Sequence, residues 1–423
     1  MRLPLRVDGV LTIGGARVDA LAARYGTPLL ALDLDVVDDR VDALLSACRP
    51  CGIEAAYAAK ALPLSAVIAR ICERGLAVDV CSLGELAAAE RAGMPPERII
   101  LHGSGKTDED LRAVVAGRVG TIVADDVDEL RLLGELASPD RPVDVILRMN
   151  TGIEAHTHAM VRTGGDDTKF GIHPRDTVAA RDVLRAAPCL RFAGLHGHVG
   201  SQIADERAFV ANAQMLLDLM SEFTGDGFSV PRLIAGGGFG VAMLPGEEDE
   251  EIDLATTMRA LAKTVADGAR ARGLPAPRIG VEPGRTLVAP AGTTIYRVNA
   301  IKRQATRTFV VVDGGMAENP RPALYDAHHY VIPATRPLGE DTVEVTLCGR
   351  SCENDELGPA ILPRDLKPGE LLTMCTTGAY TYSMASNYNR FPRPPVVGVS
   401  GGRDRVLARR ETLDEVLATD AGP

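Results

Sequence analysis

One lysine follows a short apolar stretch of the sequence. Residues 53–59 form an apolar run that predicts a buried strand, and Lys60 comes directly after it. Burying a lysine is costly unless its amine is bonded or has reacted, and desolvation lowers the pKa of the amine and makes it a nucleophile towards a carbonyl. The alternative is a strand-end lysine whose amine reaches solvent. The role of Lys60 therefore depends on the residues that the fold brings near it.

A run of glycines suits the binding of an anion. Gly236-Gly237-Gly238 offers backbone amides with no Cβ in the way of a phosphate, although a triple glycine is as often a flexible turn. Ser201 could add a hydroxyl to the same anion, and Arg285 could add a positive charge. The sequence thus offers the parts of a phosphate site.

Two further residues stand at the ends of predicted strands. Glu282 ends an apolar strand and needs a cationic partner there, and a protonated pyridine nitrogen is one that fits. His198 on its own is typical of a hydrogen-bonded core histidine, but it could also stack on an aromatic ring. A reactive lysine, a phosphate site, a stacking histidine and a carboxylate for a pyridinium are together what pyridoxal 5'-phosphate requires.

The elements that must position these residues follow a regular alternation. Strand-like runs occur at residues 53–59, 76–80, 98–102, 120–124, 143–149, 190–196, 232–235 and 279–282. Amphipathic helical stretches separate them, which predicts an α/β fold, a (β/α)8 barrel of the TIM type, with an open doubly wound sheet as the alternative. The polar clusters all follow the carboxyl ends of strands, where barrels place their active sites, and this favours the barrel.

The sequence pattern before residue 35 and after residue 288 differs from that of the predicted barrel. Two strand-like runs precede residue 35, and Asp35 is the expected N-cap of a helix over residues 36–47. After residue 288 come β-branched runs and Pro/Gly turns, and the last twenty residues predict a surface helix and tail. We therefore expect three parts: an N-terminal segment (1–35) that joins the β domain, a cofactor-binding barrel (36–287) and a mainly antiparallel C-terminal β domain (288–423).

Composition limits the partners and the location. A formal net charge of -11 argues against nucleic acid or an anionic membrane as partner. No apolar run has the length of a membrane span and no signal peptide opens the sequence, so a cytoplasmic location is expected. The eight cysteines are scattered, as is typical of reduced thiols.

Two motifs are similar to a nucleotide-binding loop and to a metal site, but each lacks a residue that the site requires. The stretch from Gly103 to Thr107 is like a nucleotide-binding loop, but Ile100 stands where that loop requires glycine. His156-Thr157-His158 could offer metal ligands, yet no nearby cysteine or carboxylate set completes a site. We expect neither ATP nor a metal to bind.

From about residue 27 to 399 the order of motifs resembles that of the fold-type III, alanine-racemase-like pyridoxal-phosphate decarboxylases. The barrel motifs that carry the resemblance are Tyr57-Ala58-Ala59-Lys60, Asp79 to Glu85, His156-Thr157-His158, Thr168-Lys169-Phe170-Gly171, His196 to Gln202, the glycine run and Glu282-Pro283-Gly284-Arg285. Those that follow are Asp313-Gly314-Gly315-Met316, Arg321 to Tyr325, Cys352-Glu353, Gly378-Ala379-Tyr380 and Ser383-Met384.

The resemblance implies roles for individual positions. Those that match catalytic residues of the family are Lys60, which binds the cofactor covalently, His198, which stacks on its ring, and Cys352. Those that match cofactor-binding residues are Ser201, Gly237, Gly238, Gly284 and Arg285 at the phosphate, Glu282 at the pyridine nitrogen, and Tyr380. Those that match substrate-binding residues are Arg285, Arg321, Tyr325, Glu353 and Tyr380.

The resemblance also implies a partner and a substrate. In the family Cys352 and Glu353 would reach the neighbouring subunit's site, where the cysteine protonates the substrate carbon, so a homodimer with shared sites is expected. Arginines at the distal end favour a second carboxylate, hence conversion of meso-diaminopimelate to L-lysine in lysine biosynthesis over decarboxylation of ornithine or lysine. The long loop at 156–169 is a candidate lid over the site.

One departure from the family pattern keeps other functions open. Asn354-Asp355-Glu356 follows Glu353 where the family has a Ser-Gly-Asp run, and the extra acid could recruit a more cationic or bulkier substrate. The alternatives are a decarboxylase of secondary metabolism acting on a different or carrier-linked amino acid and, further off, a racemase on the same scaffold.

Overall fold

The computed structural model describes residues 3–153 and 168–422. The chain divides into two compact units. The first comprises Val41–Gly240 and Glu250–Gly284, and the second comprises Met1–Arg40, Val241–Asp249 and Arg285–Pro423. The predicted domain boundaries at 35/36 and 287/288 stay a prediction.

The N-terminal region carries four short strands and two helices. They are β1 (Leu5–Val7), β2 (Val10–Ile13), β3 (Ala16–Arg17), α1 (Val18–Tyr25), β4 (Leu29–Asp33) and α2 (Leu34–Cys48). The predicted cap of α2 was wrong, because the helix begins at Leu34 and Asp35 lies in its first turn. The Asp33 carboxylate accepts the backbone N–H groups of Asp35 (3.1 Å) and Val36 (3.2 Å), so Asp33 is the cap.

Eight parallel strands close into a barrel within the described ranges. They are β5 (Ile53–Ala58), β6 (Ala77–Val80), β7 (Ile99–Leu101), β8 (Thr121–Ala124), β9 (Val143–Arg148), β10 (Leu190–His196), β11 (Arg232–Ile234) and β12 (Arg278–Val281). Closure pairs β12 with β5, where Ile279 lies opposite Ile53. This confirms the predicted barrel and rules out the open sheet.

Helices connect the barrel strands. They are α3 (Ser65–Cys72), α4 (Leu83–Arg91), α5 (Asp108–Val115), α6 (Val127–Leu136), α7 (Thr177–Ala186), α8 (Glu206–Gly225) and α9 (Leu254–Ala271). Side chains cap the N-termini of several of these helices. Ser82, Thr107 and Asp126 each accept a hydrogen bond from the backbone N–H of the residue three positions later. Because every strand runs the same way, the residues after the strands share one rim.

The second unit is built around a large sheet. Its elements after the barrel are α10 (Arg285–Val288), β13 (Gly292–Arg303), β14 (Thr308–Val312), α11 (Arg321–Tyr325), β15 (Val331–Pro333), β16 (Thr342–Cys348), β17 (Glu356–Pro363), β18 (Leu371–Cys375), β19 (Val396–Ser400), β20 (Arg403–Ala408) and α12 (Leu413–Val416). The strand order is β17-β16-β14-β13-β4-β19-β20, and β18 pairs with β13 and β15. Most pairings are antiparallel, as predicted, and β14–β16 and β4–β19 are parallel.

The N-terminal segment completes this sheet. β4 pairs with β13 on one side and β19 on the other, so an early strand sits inside a sheet built from late ones. The prediction that the β domain takes in the N-terminal segment is confirmed. The prediction for the last twenty residues was incomplete, because β20 occupies residues expected to be helix or tail.

All eight cysteines are free thiols. Among the residues described, no helix combines the length and the apolar character that crossing a bilayer requires.

Candidate active site

Lys60 lies on the rim of the barrel. It stands in a short 3-10 turn, Ala59–Ala61, that follows β5 directly. The side chain is exposed, which corrects the expectation that burial makes the amine reactive. Its neighbours Ala59 and Ala61 are buried, so the turn is anchored while the amine stays accessible to an incoming carbonyl.

Glu282 occupies the centre of a buried cluster on the same rim. The Nε2 atom of His196, the last residue of β10, lies 3.0 Å from Glu282 Oε2. The Nε2 atom of His102, just after β7, lies 2.9 Å from Glu282 Oε1 and 3.8 Å from Asp79 Oδ1. Strands that are far apart in sequence thus bring two imidazoles and a second carboxylate to one glutamate.

Charge and burial compete in this cluster. Burial disfavours an ionised Glu282, but the adjacent His102 and His196 outweigh it and hold the pKa of the carboxyl well below its usual range. Burial also opposes protonation of His102, yet the carboxylates of Asp79 and Glu282 raise its pKa. His196 goes the other way, because burial lowers its pKa to about 4. The cluster thus favours an ionised glutamate beside one charged and one neutral histidine.

The glycine run packs against the segment that carries His198. The backbone N–H of Gly237 donates to His198 Nδ1 at 3.2 Å. A Cβ on Gly237 would collide with the carbonyl oxygen of Glu282, and one on Gly238, whose φ is +98°, would collide with that of Gly200. The glycines are therefore required by close backbone approach. Burial first, and then Lys60, lowers the pKa of His198 well below normal, which keeps the ring neutral.

The barrel residues fit pyridoxal phosphate. Glu282 Oε1 is buried and has no aligned hydrogen-bond donor among the described residues, although His102 lies close to it. An ionised carboxylate with an unsatisfied oxygen suits a protonated ring nitrogen. The exposed Lys60 side chain suits the aldehyde of the cofactor.

A cationic group lies in the second unit. Arg285 and Arg321 are both 6% exposed. Their guanidinium carbons lie 4.8 Å and 5.8 Å from the ring centres of Tyr380 and Tyr325 respectively. Burial, then the charge of Arg285, lowers the pKa of Arg321 to about 9. Arg321 forms no ion pair with a carboxylate of the described residues, and its Nε atom has no hydrogen-bond partner there.

Cys352 and Glu353 stand in a separate loop of the second unit. Both side chains are exposed. The backbone N–H of Cys352 donates to Asn389 Oδ1 at 3.3 Å, and the Tyr388 hydroxyl donates to Glu353. Neither of these hydrogen bonds involves Arg321.

The acids after Glu353 do not form a substrate-binding group. Asp355 is buried and accepts the backbone N–H groups of Met316 (2.6 Å) and Ser351 (3.2 Å). Glu356 pairs with Arg307 at 3.0 Å. The expectation that an extra acid recruits a more cationic substrate was wrong, because both carboxylates are engaged within the unit.

Lys106, in the loop after β7, makes hydrogen bonds within the barrel unit. The Lys106 amine is buried and donates to the carbonyls of Gly103 (2.8 Å) and Val123 (2.7 Å) and to Glu129 Oε1 (2.8 Å). The lysine of the loop that is like a nucleotide-binding loop is therefore engaged within the barrel unit. His156 and His158, and most of the candidate lid, lie outside the described residues.

The structure groups the predicted residues by unit. On the barrel side are Lys60, His198, Ser201, Gly237, Gly238, Glu282 and Gly284, and in the second unit are Arg285, Arg321, Tyr325 and Tyr380, with Cys352 and Glu353 in their own loop. Sequence reasoning missed Asp79, His102 and His196 as partners of Glu282. Their signal was present, since each stands at or near the carboxyl end of a predicted barrel strand.

Known proteins are similar to this chain over nearly its whole length. Residues 35–289 match the family described as pyridoxal-dependent decarboxylase, pyridoxal binding domain. Diaminopimelate decarboxylase of Actinosynnema pretiosum subsp. auranticum is 43% identical over 413 residues, which cover 97% of this chain and 92% of the relative. The Bacillus subtilis (strain 168) enzyme of the same name is 38% identical, with 97% and 95% covered. Diaminopimelate decarboxylase from M. jannaschii, solved in co-complex with L-lysine, superposes with a TM-score of 0.91 at 27% identity, with 99% and 98% covered.

Proposed function

The chain belongs to the family of pyridoxal-dependent decarboxylases, and from that premise we propose that it converts meso-diaminopimelate to L-lysine and carbon dioxide. It is a carboxy-lyase that depends on pyridoxal phosphate. Relatives that carry the name diaminopimelate decarboxylase support this substrate. We also propose the domain division expected from the sequence and a cytoplasmic location.

One observation carries the choice of substrate. Arg321 is buried without a carboxylate partner in the described part of its unit, beside Arg285. A buried guanidinium is costly until an anion pairs with it. meso-Diaminopimelate has a second carboxylate at its distal end, whereas lysine and ornithine have none. The arginine therefore supports a dicarboxylic substrate.

The residues of the chain divide the work of the reaction. Bound pyridoxal phosphate supplies the electron sink for the pair released when the carboxylate leaves. Lys60 would hold the cofactor through its amine. Gly237, Gly238 and Ser201, with the turn at Gly284, would bind the phosphate, and the neutral ring of His198 would stack on the cofactor ring. Glu282 would keep the ring nitrogen protonated.

The remaining steps take place at the substrate. Arg321 and Arg285, with Tyr325, would hold the distal carboxylate, and Tyr380 would contact both the cofactor and the substrate. The Cys352 thiol delivers a proton to the α carbon, and Glu353 binds the distal amine. We propose that Cys352 and Glu353 act in the site of a neighbouring subunit, so that the protein works as a homodimer.

The test is carbon dioxide release from meso-diaminopimelate, L-lysine, L-ornithine and D-ornithine by the cofactor-loaded protein. We expect release from meso-diaminopimelate alone, with L-lysine as product. Release from ornithine or lysine instead would overturn the substrate assignment. Chiral analysis of the recovered substrate detects a racemase, which would return the mirror-image amino acid without gas.

A further inference from the structure

Four strands of the barrel contribute to the group around Glu282. Asp79, His102, His196 and Glu282 are 6%, 7%, 2% and 7% exposed, so water cannot balance their charges. A buried carboxylate stays ionised only where other groups stabilise it. Two histidines lie close enough to do so, one at each oxygen of Glu282.

The two histidines differ in what they contribute. A carboxylate oxygen only accepts, so His196 donates from Nε2, and its Nδ1 atom is buried without a partner in the described part of the chain. A neutral ring with its proton on Nε2 fits this setting. His102 instead faces two carboxylates, Glu282 at 2.9 Å and Asp79 at 3.8 Å, which favours a charged ring.

The charges of Asp79, Glu282 and His102 do not balance without one more cation. Burial raises the pKa of Asp79 to about 6, so this carboxyl ionises at neutral pH. With Asp79 and Glu282 ionised and His102 protonated, the group has one more negative than positive charge. Arg148 also acts on His102, but Asp125 lies 3.7 Å from the Arg148 guanidinium and balances its charge. Lys60 also acts on Asp79 but is exposed, so solvent screens it. A protonated ring nitrogen at Glu282 Oε1 would complete the balance.

We propose that His102 and His196 are positioning residues that hold the two oxygens of Glu282 and keep the carboxylate ionised, so that it can keep the cofactor's ring nitrogen protonated. His102 supplies the charge and His196 supplies a hydrogen bond that fixes the orientation of the carboxylate. The inference rests on the proposed function, because a protonated ring nitrogen matters only if electrons from the substrate flow into the ring.

The experiment reads the ring nitrogen directly, with no substrate present. Wild type, His102→Asn, His196→Asn and the exposed-site control His328→Asn are loaded with pyridoxal phosphate labelled with 15N. The 15N chemical shift then reports protonation of the nitrogen, and absorbance titration gives the affinity for the cofactor. We expect a protonated nitrogen in wild type and His328→Asn. In His102→Asn the shift moves towards the unprotonated value and the affinity falls about tenfold or more.

His196→Asn separates charge from orientation. We expect a weaker affinity in this variant with a smaller change in the 15N shift, because His102 still faces Glu282. A purely structural role would lower the thermal stability of both variants and leave the shift unchanged. Should His102→Asn fail to fold by circular dichroism, His102→Gln is measured in its place.

Two outcomes would overturn the proposal. One is a wild-type shift and wild-type affinity in the folded His102 variant. The other is a stoichiometric metal ion in the loaded wild-type protein, because His102, His196 and Glu282 are also close enough to hold one and it would occupy the oxygen assigned to the ring nitrogen. Since no substrate is used, a failure of the meso-diaminopimelate assay is distinguishable from either result.

Discussion

In the proposed function, Arg321 is the residue that selects the substrate. Its guanidinium is buried beside the positive charge of Arg285, which lowers the pKa of Arg321. The neighbouring groups that raise this pKa are the tyrosines Tyr380 and Tyr325, and the Tyr325 ring lies 5.8 Å away. Such a cation destabilises the substrate-free protein and binds an anion strongly, because the anion removes the cost of burial. Stability and affinity should therefore respond in opposite directions when the charge is removed.

We predict that Arg321→Met raises KM for meso-diaminopimelate about 10- to 100-fold, since a charge-assisted hydrogen bond is worth roughly 1.5–3 kcal/mol. The melting temperature of the substrate-free protein should not fall, because an unpaired buried charge is lost. Steady-state kinetics and calorimetry measure the two effects. Arg364→Met, at an exposed arginine paired with Asp341, is the control and should change neither. An unchanged KM in Arg321→Met would remove this arginine from the substrate site.

At this scale the sequence predicts residue types better than residue environments. Lys60, His198 and Glu282 were proposed because their types suit the cofactor and they follow apolar strands. The partners of Glu282 were not, because His102 and His196 lie on strands that meet only when the barrel closes. The exposure of Lys60 and the burial of Asp355 were missed for the same reason, since solvent access is a property of the folded chain.

The loop after β11 is an element that depends on glycine. Gly238 has a positive φ and no room for a side chain, whereas Gly246 has a φ of +87° and no atom within 4 Å of the point where a Cβ would lie. Comparing the two separates backbone strain from collision. We predict that Gly238→Ala loses cofactor binding, while Gly246→Ala costs about 1 kcal/mol of stability and binds the cofactor normally. Absorbance titration and thermal unfolding provide the readouts. Normal cofactor affinity in Gly238→Ala would contradict the assignment of this loop to the phosphate.

The turn between β14 and α11 carries a pH-dependent cost. Glu318 is buried there and accepts the backbone N–H of Gly315 at 2.6 Å. Burial raises the pKa of Glu318 to about 7. Because the folded-state pKa lies above the unfolded one, the native state binds the proton more tightly, and stability falls as pH rises between the two values.

We predict that Glu318→Gln stabilises the protein by about 1–3 kcal/mol at about pH 8 and by little at about pH 5, because glutamine keeps the oxygen acceptor and cannot ionise. Denaturant unfolding at both pH values measures this. Glu344→Gln, at an exposed position of β16, is the matched control and should be neutral at both. Equal effects of Glu318→Gln at the two pH values would show that the carboxyl does not titrate in this range.

Elements with a clear period were predicted closely. The barrel strands are short apolar runs between helices with polar faces, and all eight lie where the pattern indicates. The longest strand of the described residues, β13, has no clear period of its own, because Arg297, Asn299 and Lys302 interrupt its apolar pattern. It pairs with β4, β14 and β18 along its length. Its extended form is set by these neighbours rather than by its own sequence.

At the scale of the whole molecule, the β unit depends on contacts that span the chain. Strand β4, near the start, is held by β13 and β19, which lie more than half the chain away. The sequence predicts such a unit only through resemblance, since local pattern carries no information on partners so distant. The same holds for contacts between copies of the chain, which the proposed homodimer requires.

The exposed loop of Cys352 makes the dimer testable. This cysteine and Lys60 belong to different compact units, and both side chains are accessible. If each site combines Lys60 of one subunit with Cys352 of the other, two inactive variants can complement each other. In a mixture of Lys60→Ala and Cys352→Ala subunits, each mixed dimer holds one intact site and one site with both changes.

We predict that equal amounts of Lys60→Ala and Cys352→Ala protein, after subunit exchange, regain about a quarter of the wild-type activity, because half the dimers are mixed and each has one of two sites intact. Carbon dioxide release from meso-diaminopimelate measures the recovery, and native mass spectrometry of differently tagged subunits proves the exchange. Each variant exchanged with itself is the control and should stay inactive. If both residues served the same subunit's site, every mixed dimer would carry one broken lysine site and one broken cysteine site. Proven exchange without recovery would then place Cys352 in its own subunit's site, and the need for a dimer would fall with it.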